Sequence, residues 1–72
     1  MGTRARLRVA QVAKKQGVGI RELARRADLY YPTVHQVWHN TGNPTIETIT
    51  KIADALGVPV TDLFDGDERI ET

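Results

Sequence analysis

Apolar residues recur along the chain every three or four positions, the period of a helix with one buried stripe. Val9, Val12 and Ala13 set the phase of a first helix, expected from Arg4 to Gln16 with Gly17 ending it. Ile20, Leu23, Ala24 and Ala27 mark a second helix over Ile20 to Ala27. Val34, Val37 and Trp38 form the inward side of a third, Pro32 to His39; Asn40 and Gly42 behind it can both supply positive φ. Thr45 is a good N-cap for a fourth helix, with Ile46, Ile49, Ile52, Ala53 and Leu56 as its apolar face and Gly57 as its stop. A short fifth helix is expected from Val60 to Phe64, with Leu63 and Phe64 closing the core. No alternation of the strand kind, no repeat and no low-complexity tract interrupts this. The expected fold is all-α: a compact five-helix bundle over residues 4–64, then an acidic, flexible tail over 65–72.

Residues 20–38, IRELARRADLYYPTVHQVW, carry the most specific part of the pattern. Two short helices are joined by a tight turn. Ala24 is small where the helices must come close, and Asp28 stands at the break, where a left-handed backbone is often needed. This is the outline of a helix-turn-helix, whose second helix lies in the DNA major groove.

Charge sharpens that picture. Residues 1–40 hold eight Lys or Arg against Glu22 and Asp28, a formal +6, while residues 41–72 hold two against seven acids, a formal −5. A basic half that contains the candidate reading helix fits a polyanion, and solvated basic faces fit the same count. The 72 residues hold no cysteine, which removes disulfides and thiolate metal sites. No apolar run is long enough to span a membrane, and none follows the basic start as in a signal peptide. Met1-Gly2 opens like a myristoylation signal, but Arg6 stands where Ser or Thr belongs. A soluble, cytoplasmic, nucleoid-associated prokaryotic protein is the expectation.

Between Leu23 and Phe64 the chain resembles, without a gap, the lambda-repressor-like helix-turn-helix domains of the Cro/C1, or XRE, family. The carrying pieces are Leu23-Ala24, Thr33-Val34, Asn43-Pro44, IETITKIADALGV over Ile46–Val58, and the closing TDLF of Thr61–Phe64. Leu23-Ala24 or Thr33-Val34 alone would be worthless; the ordered set at fixed spacing is specific. The resemblance implies a DNA-binding transcriptional regulator. It implies base contacts at the first two residues and the sixth of the third helix, matching Tyr31, Pro32 and Gln36. It also implies a homodimer joined near the fifth helix, around Pro59, Thr61 and Asp62.

The residues themselves rank these positions. Gln36 lies opposite the inward side of the third helix, and its amide can bind adenine N6 and N7 bidentately. Tyr31 can stack on a thymine methyl, meet a phosphate or pack on the turn; Pro32 offers only apolar contact. His35 flanks them as a further base-contact candidate. Pro32 disfavours α conformation before it, so Tyr31 is the expected N-cap, without a side-chain acceptor to cap with. Phosphate contacts fall to Arg21, Arg25, Tyr30, Thr33, His39, Thr41 and Asn43, with a merely solvated helix face as the other reading of Arg25 and Arg26.

Departures from the family pattern also inform. Relatives commonly carry Ser or Thr at Tyr30 and Gln at Ile20. Many pair an Arg at Ala13 with a Glu at Trp38. Both charges are gone here, so Trp38 is expected to be buried against the first helix near Ala13. His35 and His39 have a spacing that can hold zinc, but no third ligand is evident, so no metal or cofactor is expected. No nucleophile–base pair, phosphate loop or paired carboxylates point to an enzyme or a small-molecule substrate. The competing reading is a protein–protein module, such as an antitoxin, helped by exposed Val58, Pro59, Val60 and Ile70.

Overall fold

In the computed structural model, which describes residues 7–64, four α-helices follow one another: α1 Val9–Lys15, α2 Ile20–Ala27, α3 Tyr31–Trp38 and α4 Ile46–Leu56. A single 3-10 turn, Val60–Leu63, comes last. The expected fifth α-helix is therefore corrected to this turn. Pro59 precedes it in an extended conformation, and Phe64 after it is extended again, which leaves room for one tight turn only. Among the described residues there is no strand; one antiparallel bridge pairs Leu7 with Phe64.

α1 is shorter than the apolar period predicts. Leu7 and Arg8 are not helical, and residues 4–6, where the helix was expected to begin, lie outside the described residues. Leu7 is held elsewhere. Its N–H donates to Asn40 Oδ1 at 2.9 Å, its carbonyl accepts from Asn40 Nδ2 at 2.8 Å, and Arg8 N–H donates to the Leu63 carbonyl at 2.7 Å. The buried Leu7 side chain joins the core from this pinned segment. Continuing the helix backwards would forfeit all three bonds.

The core is a cluster drawn from every element: Val9 and Ala13, Leu23 and Ala27, Val34 and Val37, Ile52 and Leu56, and Leu63. Several expected core residues differ: Val12, Ile20 and Phe64 are only half-buried against the cluster, and Ile46 and Trp38 differ as well. Ile46 is 69% exposed, because the first turn of α4 runs past the edge of the core that Ile49 begins to cover. Trp38 is half-buried, packed against the cluster without being enclosed, as a ring of its size at the last position of α3 would be. In the other direction, Val58 and Val60 were expected exposed but are half-buried against the core, while Pro59 is exposed. Ile70 lies outside the described residues, as does the 65–72 tail.

All four α-helices end in the same way. A left-handed residue closes each: Gly17, Asp28, Asn40 and Gly57. The next residue donates its N–H back five positions: Val18 to Ala13, Leu29 to Ala24, Thr41 to Gln36, and Val58 to Ala53, at 2.8–3.0 Å. This is the Schellman arrangement, which satisfies carbonyls the helix leaves open. The left-handed conformations at Asp28 and Asn40 match the sequence expectation. So does the cap of α4, where Thr45 Oγ1 accepts from Thr48 N–H at 3.2 Å.

Candidate functional site

The α2–Asp28–α3 unit builds the exposed face that the sequence singles out. α2 turns Leu23, Ala24 and Ala27 inward, so Arg21, Arg25 and Arg26 face solvent. α3 turns Val34 and Val37 inward. At 100° per residue this leaves Tyr31, His35 and His39 in one row and Pro32 and Gln36 beside it. All five are exposed.

The row is stacked. The Arg21 guanidinium lies 5.5 Å from the centre of the Tyr31 ring. Tyr31 and His35 follow at 5.8 Å between centroids, tilted by 49°, and His35 and His39 at 4.4 Å, tilted by 50°. A cation–π contact at its head joins α2 to α3. Tyr31 thus packs on Arg21 and His35 and still remains 42% exposed. The row ends in π-faces and imidazole nitrogens, groups that can stack on bases or donate to phosphate oxygens.

α3 starts one residue earlier than the proline rule predicts. Tyr30, not Tyr31, is the N-cap, with φ −71° and ψ 145°, and Pro32 is the second helical residue. The bias against α conformation before proline is overridden here. The N–H that Pro32 lacks would have had no partner in the first turn in any case. No side chain caps α3. Tyr30, 83% exposed, stands out from this uncapped end, and Thr33 is half-buried next to it.

At the other end of α3, Thr41 donates to the Gln36 carbonyl twice, from its N–H at 2.8 Å and its hydroxyl at 3.3 Å. The Gln36 amide lies against Gly42, and Asn43 is exposed in the same loop. Asn40 is turned inward onto Leu7. Its long-range clamp is invisible in the sequence, where the two lie 33 residues apart.

One phosphate-contact candidate is occupied. Glu22 accepts from Arg25 Nη2 at 2.7 Å and from Arg26 Nε at 2.8 Å. The Arg26 and Arg25 hydrogen bonds hold its carboxyl below the ordinary carboxylate range. The i,i+3 and i,i+4 spacing of Glu22 with Arg25 and Arg26 is the sequence signal for these pairs. With 74% of its side chain exposed, Arg25 sits in a pair of the weak surface kind, which a phosphate can replace. Arg21 makes no such pair among the described residues. Among the described residues, no third His, Cys, Asp or Glu joins His35 and His39 in a metal-binding group. No helix there is long and apolar enough to cross a membrane.

Two helices at a left-handed break, with an uncapped second helix displaying its polar side, agree with what one comparison finds. A family model for the Cro/C1-type HTH DNA-binding domain matches residues 8–67. The chain belongs to this family. The match takes in all four helices and the closing turn of the Cro/C1-type domain, so DNA is the partner its domain type implies. No curated protein matches the chain.

Proposed function

We propose that this Cro/C1-type domain is a transcriptional regulator that binds duplex DNA sequence-specifically, with α3 in the major groove. The observation that carries the proposal is the outer side of α3, where Tyr31, Pro32, His35 and Gln36 are displayed together beside the basic side of α2. Gln36 is the leading base reader, with Tyr31, Pro32 and His35 around it. Arg21, Arg25, Tyr30, Thr33, His39, Thr41 and Asn43 flank the groove edges as phosphate contacts. Tyr30 reaches out from an uncapped helix N-terminus, where the Tyr31 N–H and the helix dipole favour an anion.

One short helix covers few base pairs, so two copies about 34 Å apart on a two-fold site complete the reading. The surface around Pro59, Thr61 and Asp62 is the proposed homodimer contact. An open groove of about 510 Å³ between α1 and the 3-10 turn supports it, where Thr61 and Asp62 meet Val12, Val58 and Phe64 and the polar Arg8, Lys15 and Gln16. The same groove supports the competing reading, a regulator or antitoxin that docks another protein there.

Selection of bound duplexes from a random pool tests the proposal, followed by a salt titration. The expected result is a site with two-fold symmetry and an affinity that falls steeply with salt. Absence of binding at low salt would favour the protein–protein reading. A site with a single half and one chain bound would remove the dimer.

A further inference from the structure

We propose that Gly42 is a specificity-positioning residue: its bare Cα seats the Gln36 amide, so the loop after α3 sets how α3 reads DNA. This rests on the reading of Gln36 as a base contact. A Cβ built on Gly42 would stand 2.8 Å from Gln36 Oε1, closer than real Cβ atoms come to a neighbour, and 3.3 Å from its Cδ, a tight contact. Any side chain at 42 must therefore move the amide. The move is easy, because the amide is the far end of a flexible, exposed chain. The cost falls on where Gln36 points and not on whether the domain folds.

The loop itself is fastened to the same residue. Thr41 holds the Gln36 carbonyl through its N–H and its hydroxyl, which fixes Gly42 above the side chain. The Gln36 backbone is thus tied to the loop, and its amide lies against the bare Cα of that same loop. A small displacement of a reading group spoils bidentate geometry.

Gly42 also has φ +74°, where a side chain is strained whatever the space. Gly17 supplies the matched control, with the same φ of +74° and nothing within 4 Å of its would-be Cβ. Gly17→Ala introduces the strain without the contact. Gly42→Asn introduces the Cβ with a residue that tolerates the left-handed region.

The experiment measures affinity for the selected duplex against its single-base-pair variants. The proteins are wild type, Gln36→Ala, Gly42→Ala, Gly42→Asn, Gly17→Ala and the Gln36→Ala/Gly42→Ala double variant. Both Gly42 variants are expected to lose discrimination by about threefold or more at the base pair where Gln36→Ala loses it. Gly17→Ala is expected to melt earlier and discriminate like wild type. The double variant is expected to match Gln36→Ala alone. If Gly42→Asn keeps wild-type discrimination while Gln36→Ala loses it, the Gly42 proposal falls and the Gln36 reading stands. If the losses of Gly42→Ala and Gln36→Ala multiply in the double variant, Gly42 acts by another route and the proposal falls. If Gln36→Ala discriminates like wild type at every base pair, both fall.

Discussion

The ends of α1, α2 and α4 differ from the end of α3 in one respect. Each closes with a left-handed residue and a backbone bond five residues back, but the pair joined by that bond is Ala13–Val18, Ala24–Leu29 and Ala53–Val58 in three cases and Gln36–Thr41 in the fourth. The three alanines are buried, and their partners are buried or packed on the core. Gln36 and Thr41 are both exposed. An apolar contact commonly accompanies this motif and ties the following chain to the core. At the end of α3 the backbone keeps the motif and the side chains give up the contact. The same device that stops three helices for stability stops the fourth with two polar groups facing outward, next to the residues proposed to read DNA.

Swapping the two kinds of end should break the comparison most severely. Ala13→Gln puts an amide where no surface is accessible. Overpacking and an unpaired polar group together should destabilise the domain by about 3 kcal/mol, enough to unfold much of a small domain. The reverse substitution, Gln36→Ala, should change stability by less than about 0.5 kcal/mol, as at an ordinary surface position. Urea denaturation of the pair measures both. A stable Ala13→Gln protein would mean that the end of α1 is not the closed site described here.

That contrast was partly legible in the sequence. The four helices, the left-handed breaks at Asp28 and Asn40, the Thr45 cap and the inward stripes all depend on residues a few positions apart, and periodicity reports those directly. What depends on distant residues was not legible. Leu7 looked helical because it is apolar and in phase, yet Phe64 and Asn40 hold it in a bridge. Val58 looked exposed because it follows a helix stop, yet it packs as the last residue of the closing motif. Ile46 fits the stripe of α4 but overshoots the core, whose edge no period encodes. For the candidate site, the sequence named the candidate residues, and the structure shows that Tyr31, Pro32, His35, Gln36 and His39 share an exposed side of α3. The sequence did not give the stacked row from Arg21 to His39, the seating of Gln36 on Gly42, or the capture of Arg25 by Glu22.

Asn40 separates two roles that the other three breaks do not combine. It supplies the left-handed turn, with φ 59°, and also clamps both polar groups of the Leu7 peptide. Asn40→Gly keeps the turn and loses the clamp; it should cost about 1–2 kcal/mol, the worth of a pair of partly buried hydrogen bonds. Asn40→Ala loses both and should cost about 1 kcal/mol more. Equal stability of the Gly variant and wild type would show that Leu7 is not held by Asn40 in solution. Amide exchange at Leu7 offers the direct check.

The other end of α3 offers a gain. Tyr30 occupies an N-cap with no side-chain bond, whereas Thr45 at the same position of α4 has one. Tyr30→Ser should stabilise the domain by about 1 kcal/mol, and Thr45→Ala should destabilise it by a similar amount. If Tyr30 reaches a phosphate, the more stable Ser variant should bind all duplexes more weakly. A Ser variant that is both more stable and equally tight in binding would free Tyr30 from any role at the interface.

The smallest effect on the fold, and the sharpest test of the basic face, is Glu22→Gln. Glu22 occupies Arg25 and Arg26 on the side of α2 that would approach DNA. Its pair is exposed, so replacing it should leave the melting midpoint essentially unchanged at neutral pH. The sign of its pH dependence follows from the lowered pKa in the folded domain. The contribution is present above the unfolded carboxylate value and is lost as pH falls through the lower folded value, so the pair is intact at neutral pH. Released from Glu22, the two guanidiniums become available to phosphates. Affinity for random duplex DNA should rise, and the dependence of log K on log salt should steepen by up to about one unit for each arginine recruited. The gain over wild type should stay constant from about pH 6 to 8, because glutamate does not titrate there. An unchanged salt slope in Glu22→Gln would mean that neither Arg25 nor Arg26 meets the backbone, and the phosphate contact of α2 would pass to Arg21 alone.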